Sequence, residues 1–191
     1  MSSKGFRERI LEIAEDGSAL ASSTTQTSLL PSSRKTAAIP LGYFDVIGKA
    51  IAFCFSGRIS NIVTTPGTLA LALRLGSVDV LASGLMTLNI VAKTDTHWTF
   101  EGELICRAIG GGTATTFFPK GCRFVSHSVI GAAAPTAGGA GVHVLPYNAA
   151  PAVGSGIDNG ASHLIDLMAT WSVSNAANSI QLQAGHIDLY S

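Results

Sequence analysis

The chain has 191 residues, of which 13% are charged, with a net charge of zero and a mean hydropathy of +0.37. That length supports one domain with a sizeable core, and the lack of a basic face excludes binding to a phosphate backbone. So little charge leaves few groups to keep a surface solvated, which points to surface buried against other chains.

From the start, Phe6, Ile10, Ile13 and Ala14 recur at helical spacing among Arg7, Glu8, Arg9, Glu12 and Glu15. The spacing predicts a short amphipathic helix ending at Asp16-Gly17. A helix this short is marginal alone, so it is expected to dock, with Phe6, Ile10 and Ile13 as its interface residues. Residues 18–33 are rich in Ser and Thr and read as extended. Residues 1–25 are taken as an N-terminal arm and residues 26–191 as a β-sandwich domain. No apolar run follows the charged start, so no secretory leader is expected. No apolar run of about 18 residues occurs, so no membrane span is expected.

Strands follow. Ile51, Phe53 and Phe55 alternate before Ser56-Gly57, and residues 61–67 carry turn chemistry. Leu69, Leu71, Leu73 and Leu75 alternate with Thr68, Ala70, Ala72 and Arg74, a half-buried strand closed by Gly76. Val78–Leu81 and Leu85–Val91 read as two shorter strands. The strongest signal is Thr96–Ile109: Trp98, Phe100, Leu104, Cys106 and Ala108 fall on one face, and His97, Thr99, Glu101, Glu103 and Arg107 on the other. Phe117–Ile130 reads as a bent strand or strand pair, with loops at 131–141 and 146–160. Ile165 to Val173 and Ile180 to Leu189 are two strong strands, the second broken at Gly185 by a possible bulge. The short connection Ser174–Asn178 fits a hairpin. These elements predict an all-β protein, a jelly-roll-like antiparallel β-sandwich with a short N-terminal helical arm.

Motifs for chemistry are sparse. Gly154, Gly156 and Gly160 have the wrong spacing for a phosphate cradle and precede a strand. His97, His127, His143, His163 and His186 are scattered, without the close His pair of a metal-binding jelly roll. Glu101 and Glu103 share a face, as paired carboxylates for glycoside chemistry would, but two carboxylates on a wet strand face are also the pattern of a solvated edge. No Ser elbow occurs. Cys54, Cys106 and Cys122 are odd in number, form no close pair and lie in apolar strands, as buried thiols of a protein made in a reducing compartment do. Trp98 and Trp171 fall on predicted buried faces and Tyr43, Tyr147 and Tyr190 remain the only other sugar-stacking candidates. No catalytic residue, metal, cofactor or small-molecule ligand is expected.

Several segments carry a resemblance: residues 57–60 leading into 64–69, Ala92-Lys93-Thr94, residues 107–110, residues 151–154, and residues 171–180. Together, over residues 18–190, they resemble small virion proteins of tailed bacteriophages. The resemblance implies a structural virion protein without catalytic residues. A capsid decoration or cement protein, homotrimeric and bound to the major capsid protein, is the first expectation. A tail, baseplate or fibre component touching host glycan through residues 131–160 is the alternative. The chain would be made in the host cytoplasm and reside in the virion, contacting neither nucleic acid nor membrane.

Overall fold

A computed structural model describes residues 6–62, 65–131, 141–147, 149–154 and 156–191. Among these residues thirteen strands form two antiparallel sheets. In chain order they are β1 (Arg7–Ile13), β2 (Leu20–Ala21), β3 (Thr27–Ser28), β4 (Ala38–Ile39), β5 (Ala50–Asn61), β6 (Thr68–Leu75), β7 (Val78–Ala82), β8 (Met86–Thr87), β9 (Lys93–Ala108), β10 (Thr116–Ser126), β11 (Val142–Val144), β12 (His163–Trp171) and β13 (Ser179–Tyr190). The larger sheet runs β1-β13-β5-β9-β10-β11, with β2 also on β13. The smaller runs β3-β12-β6-β7, with β4 on β12 and β8 on β6.

Period-two alternation aims the apolar residues of both sheets at each other. The larger sheet contributes Ile51, Phe53 and Phe55 from β5, Trp98, Phe100 and Leu104 from β9, and Ile187 and Leu189 from β13, all buried. The smaller contributes Leu69, Leu71, Leu73 and Leu75 from β6 and Ile165, Leu167 and Trp171 from β12. Phe53 meets Phe100 at 4.9 Å between ring centroids and Trp98 stacks on Phe124 at 6.0 Å. Both tryptophans are core residues with satisfied ring N–H groups: Trp98 Nε1 donates to the Arg58 carbonyl at 3.1 Å, Trp171 Nε1 to that of Leu20 at 3.1 Å.

Three expectations are corrected. The N-terminal helix is absent; residues 7–13 are an edge strand on β13. Helical spacing lost because the same residues also alternate, with Leu11 and Ile13 inward and Glu12 outward, and pairing with β13 satisfies a whole row of backbone groups. Of the expected arm, residues 7–13 and 20–21 pair into the larger sheet as β1 and β2. The 174–178 connection is not a hairpin turn, because β12 and β13 lie in different sheets and the chain crosses between layers there. The Leu85–Val91 strand shrinks to Met86–Thr87, where Asn89 side-chain bonds to Ser128 and Val91 replace ladder bonds. Phe117–Ile130 is one strand, Thr116–Ser126, bent by a bulge between Lys120 and Arg123. The irregularity near Gly185 lies between Leu182 and Ala184, and Gly185 itself packs flat on Phe55, whose ring would stand 2.5 Å from an added Cβ.

Candidate functional site

The sequence-predicted chemical residues are held apart. Glu101 and Glu103 do share the outer face of the larger sheet, but each is spent on a cation. Glu101 pairs with Arg123 at 2.6 Å and Glu103 with Lys120 at 2.9 Å, both across to β10. His97 contacts Thr99, His143 the Ile130 carbonyl, His163 the Asp158 carbonyl, and His186 lies 3.6 Å from Asp188. No three His, Cys, Asp or Glu side chains converge as metal ligands among the described residues. Cys106 and Cys122 are buried and Cys54 is half-buried on the outer face. Burial raises all three thiols, that of Cys122 to about 11, and Glu101 adds to the effect at Cys54. Low reactivity follows. Residues 132–140, 148 and 155 of the expected glycan-binding loops lie outside the described residues.

The outer face of the larger sheet holds a polar staple that the sequence reading missed. Asp188 on β13 is 1% exposed and accepts from Arg9 Nε at 2.9 Å and from Arg7 Nη2. Burial pushes this carboxyl up, but hydrogen bonds and charge from Arg9 and Arg7 outweigh it and hold the carboxyl below its ordinary value. The two guanidinium groups lie above it and shield it from water. They tie the first strand of the chain to the last.

The most unusual surface is one end of the sandwich. Here the loop of residues 40–49, the turn at 109–115, the segment 157–161, Phe6 and Ser191 lie. Asn159 is the centre of this lacing. Its Oδ1 accepts from the Phe44 N–H at 3.2 Å and its Nδ2 donates to the Phe44 carbonyl at 3.0 Å. Its backbone N–H donates to Gly110 and its carbonyl accepts from Gly42. The Gly48 N–H donates to the Cys106 carbonyl, anchoring the far side of the loop to β9. Gly42 and Gly48 have φ of 69° and 102°, turns that a side chain would strain. Phe44 is buried edge-on against Phe117.

Tyr43 and Lys49 complete the frame. The Tyr43 hydroxyl donates to the Tyr190 carbonyl at 2.8 Å, and burial, aided by Glu8 and Asp45, raises it to about 12, so it stays a donor. The Lys49 ammonium caps the Tyr43 ring at 4.7 Å, donates to its carbonyl and pairs with Asp45 at 2.7 Å. On this fixed frame Leu41, Val46, Ile47 and Ile109 stand exposed. Phe6 joins them beside the chain terminus, exchanging hydrogen bonds with Ser191. Of the expected interface residues, Phe6 is 61% exposed, Ile10 is half-buried against the core, and Ile13 is buried within this chain.

A loop that buries Phe44 while exposing Leu41, Val46 and Ile47 differs from the isolated surface apolars every protein carries, because the three exposed residues share one hydrogen-bonded loop. Arranged so, they suit contact with another surface, and they offer no nucleophile, base or ligand set. The signal available in the sequence was the apolar content of residues 41–47 around Gly42 and before Gly48, in a stretch without strand alternation. Comparisons with protein-family models, with curated proteins and with solved structures give no match to this chain.

Proposed function

We propose that this chain is a structural virion protein of the tailed-bacteriophage type, a capsid decoration or cement subunit that acts by contact. The observation that carries the reading is the laced apolar end: Leu41, Val46, Ile47 and Ile109 exposed around a loop held by part-buried hydrogen bonds, with Phe6 exposed beside Ser191. Rigid apolar loops lose little entropy on docking, so more of the ~25 cal/mol per Å² from covering them survives as affinity. A chain with 13% charged residues has little else to offer a partner.

The finer fold reading, a jelly roll, is supported by the nesting of the pairs. β1 pairs with β13, β3 with β12, β5 with β9 and β6 with β7, each inside the one before in sequence. That is a long antiparallel ribbon, first strand against last. Wrapping it adds the contacts β13 with β5 and β12 with β6, giving two sheets. The β10–β11 excursion is an addition to the ribbon between β9 and β12.

In this reading the subunits are homotrimeric, the partner is the major capsid protein, and the location is the virion. Each subunit bridges neighbouring capsomers and resists their separation. The test is rebinding of purified chain to shells stripped of it. The wild-type chain rebinds and raises the temperature at which shells open. Ile47→Asp, an exposed position, keeps its own melting temperature and loses rebinding. Equal rebinding by both proteins removes the apolar end from the function.

A further inference from the structure

The two outer edges of the larger sheet are built differently, and the difference points to a second contact. A sheet edge presents unpaired N–H and C=O groups that recruit other strands unless very short length, charge, proline or a bulge prevents it. At one edge, β1 carries Arg7, Glu8, Arg9 and Glu12 and a bulge between Arg9 and Leu11. That edge is defended. At the other, β11 is Val142-His143-Val144, protected by its three-residue length alone, with no charge, proline or bulge.

The backbone of β11 can be assigned group by group. Gly141 accepts from the Ser126 N–H at 2.8 Å, and Leu145 donates to the Cys122 carbonyl at 2.9 Å. His143 stands opposite Phe124. In an antiparallel ladder, bonding alternates by residue, so residues 141, 143 and 145 face β10. Val142 and Val144 therefore turn their N–H and C=O groups away from the sheet, and β11 pairs with no strand other than β10 among the described residues. Their side chains are 54% and 76% exposed. They lie on the face of Arg123 and Val125, and Arg123 is already neutralised by Glu101.

We propose that β11 pairs with β11 of a second copy, antiparallel, about a two-fold axis through His143. Val142 then stands opposite Val144 of the second copy, and the reverse. Both opposed pairs are of the hydrogen-bonded kind, so the four outward groups of each copy are satisfied in four inter-chain hydrogen bonds. Four valines close together on one face, in cross-strand pairs that β-branched residues favour. No unpaired charge is brought to the axis. The strand is its own complement, which is what an isologous contact requires. This contact does not rest on the virion reading. If the subunits are trimers, it joins one trimer to the next.

The test is the mass of the full-length chain by light scattering over a concentration series. The wild-type chain shows a two-fold association step. Val142→Pro removes an outward N–H, leaves the bonds to β10 intact and follows Gly141, which tolerates a succeeding proline. It removes two bonds per pair of copies, so this step weakens about ten-fold or more. Val144→Lys, with its ammonium at the axis, does the same and decides the matter should the proline variant not fold. His143→Cys forms an inter-chain disulfide on oxidation. A wild-type chain that is monomeric at every concentration, or an assembly whose mass both variants leave unchanged, overturns the proposal.

Discussion

Asn159→Ala is the sharpest perturbation of the laced end, because it deletes two hydrogen bonds and no packing of consequence. The lost partners are the N–H and C=O of Phe44, bonded at 3.2 and 3.0 Å. The methyl that remains reaches neither. An unpaired buried backbone group costs about 1–3 kcal/mol. Both groups lie under a part-buried loop, so the lower half of that range applies, and the two together come to about 2–4 kcal/mol. With a urea dependence of about 2–3 kcal/mol per M for a chain of this size, the unfolding midpoint falls by about 1 M. Equilibrium urea denaturation followed by tryptophan fluorescence reads this directly, since Trp98 and Trp171 are both in the core. Hydrogen exchange at the Phe44 and Gly42 amides rises locally, ahead of global unfolding. Asn175→Ala at the opposite end serves as control: its Oδ1 bonds only the exposed Ala177 N–H, and the change stays within about 0.5 kcal/mol. A midpoint shift for Asn159→Ala no larger than the control's refutes the claim that this side chain holds the loop.

Asp188 ties stability to pH. Its folded-state carboxyl lies below its ordinary value, so its contribution is present above the unfolded value of about 3.9 and is lost as pH falls through the folded one. Wild-type protein therefore loses stability relative to Asp188→Asn in acid, below about pH 4; parallel denaturation profiles for the two would sink the staple. Gly57→Ala places a Cβ 1.9 Å from the Gln181 carbonyl, a backbone atom of the neighbouring strand. The strands must part, costing about 3 kcal/mol, the upper end for overpacking, and a thermal midpoint equal to wild type would contradict it. The thiols predict a labelling order. At neutral pH a maleimide modifies Cys54 slowly and leaves Cys106 and Cys122 untouched until denaturant is added, whereas rapid modification of all three in the folded protein would be wrong for buried, raised thiols.

The long strands were legible because alternation over many residues has one solution. Trp98, Phe100 and Leu104 cannot all be buried from one strand unless the polar residues between them face out. Where the pattern was short, two periods fitted. Residues 6–15 satisfy helix and strand alike, and the partner strand β13, distant in sequence, decided between them. The same distance hid the sheet assignment of β12 and β13: alternation shows that a strand has a buried face and says nothing about which layer it joins. The apolar end was invisible for a related reason. Leu41, Val46 and Ile47 look like core residues in a list of letters, and in the folded chain they stand exposed on a loop laced to Asn159, Cys106 and Tyr190. Nothing in the sequence marks Asp188 out, because Arg7 and Arg9, which cover it, lie at the other end of the chain.

Quantitative mass spectrometry of purified source particles tests the contact-protein reading most directly, by comparing copies of this chain with copies of the major shell protein. A decoration subunit that bridges capsomers throughout the shell is present at a ratio comparable to the shell protein. A ratio far below it moves the chain to a tail, vertex or fibre. Its absence from the particle contradicts the virion role outright.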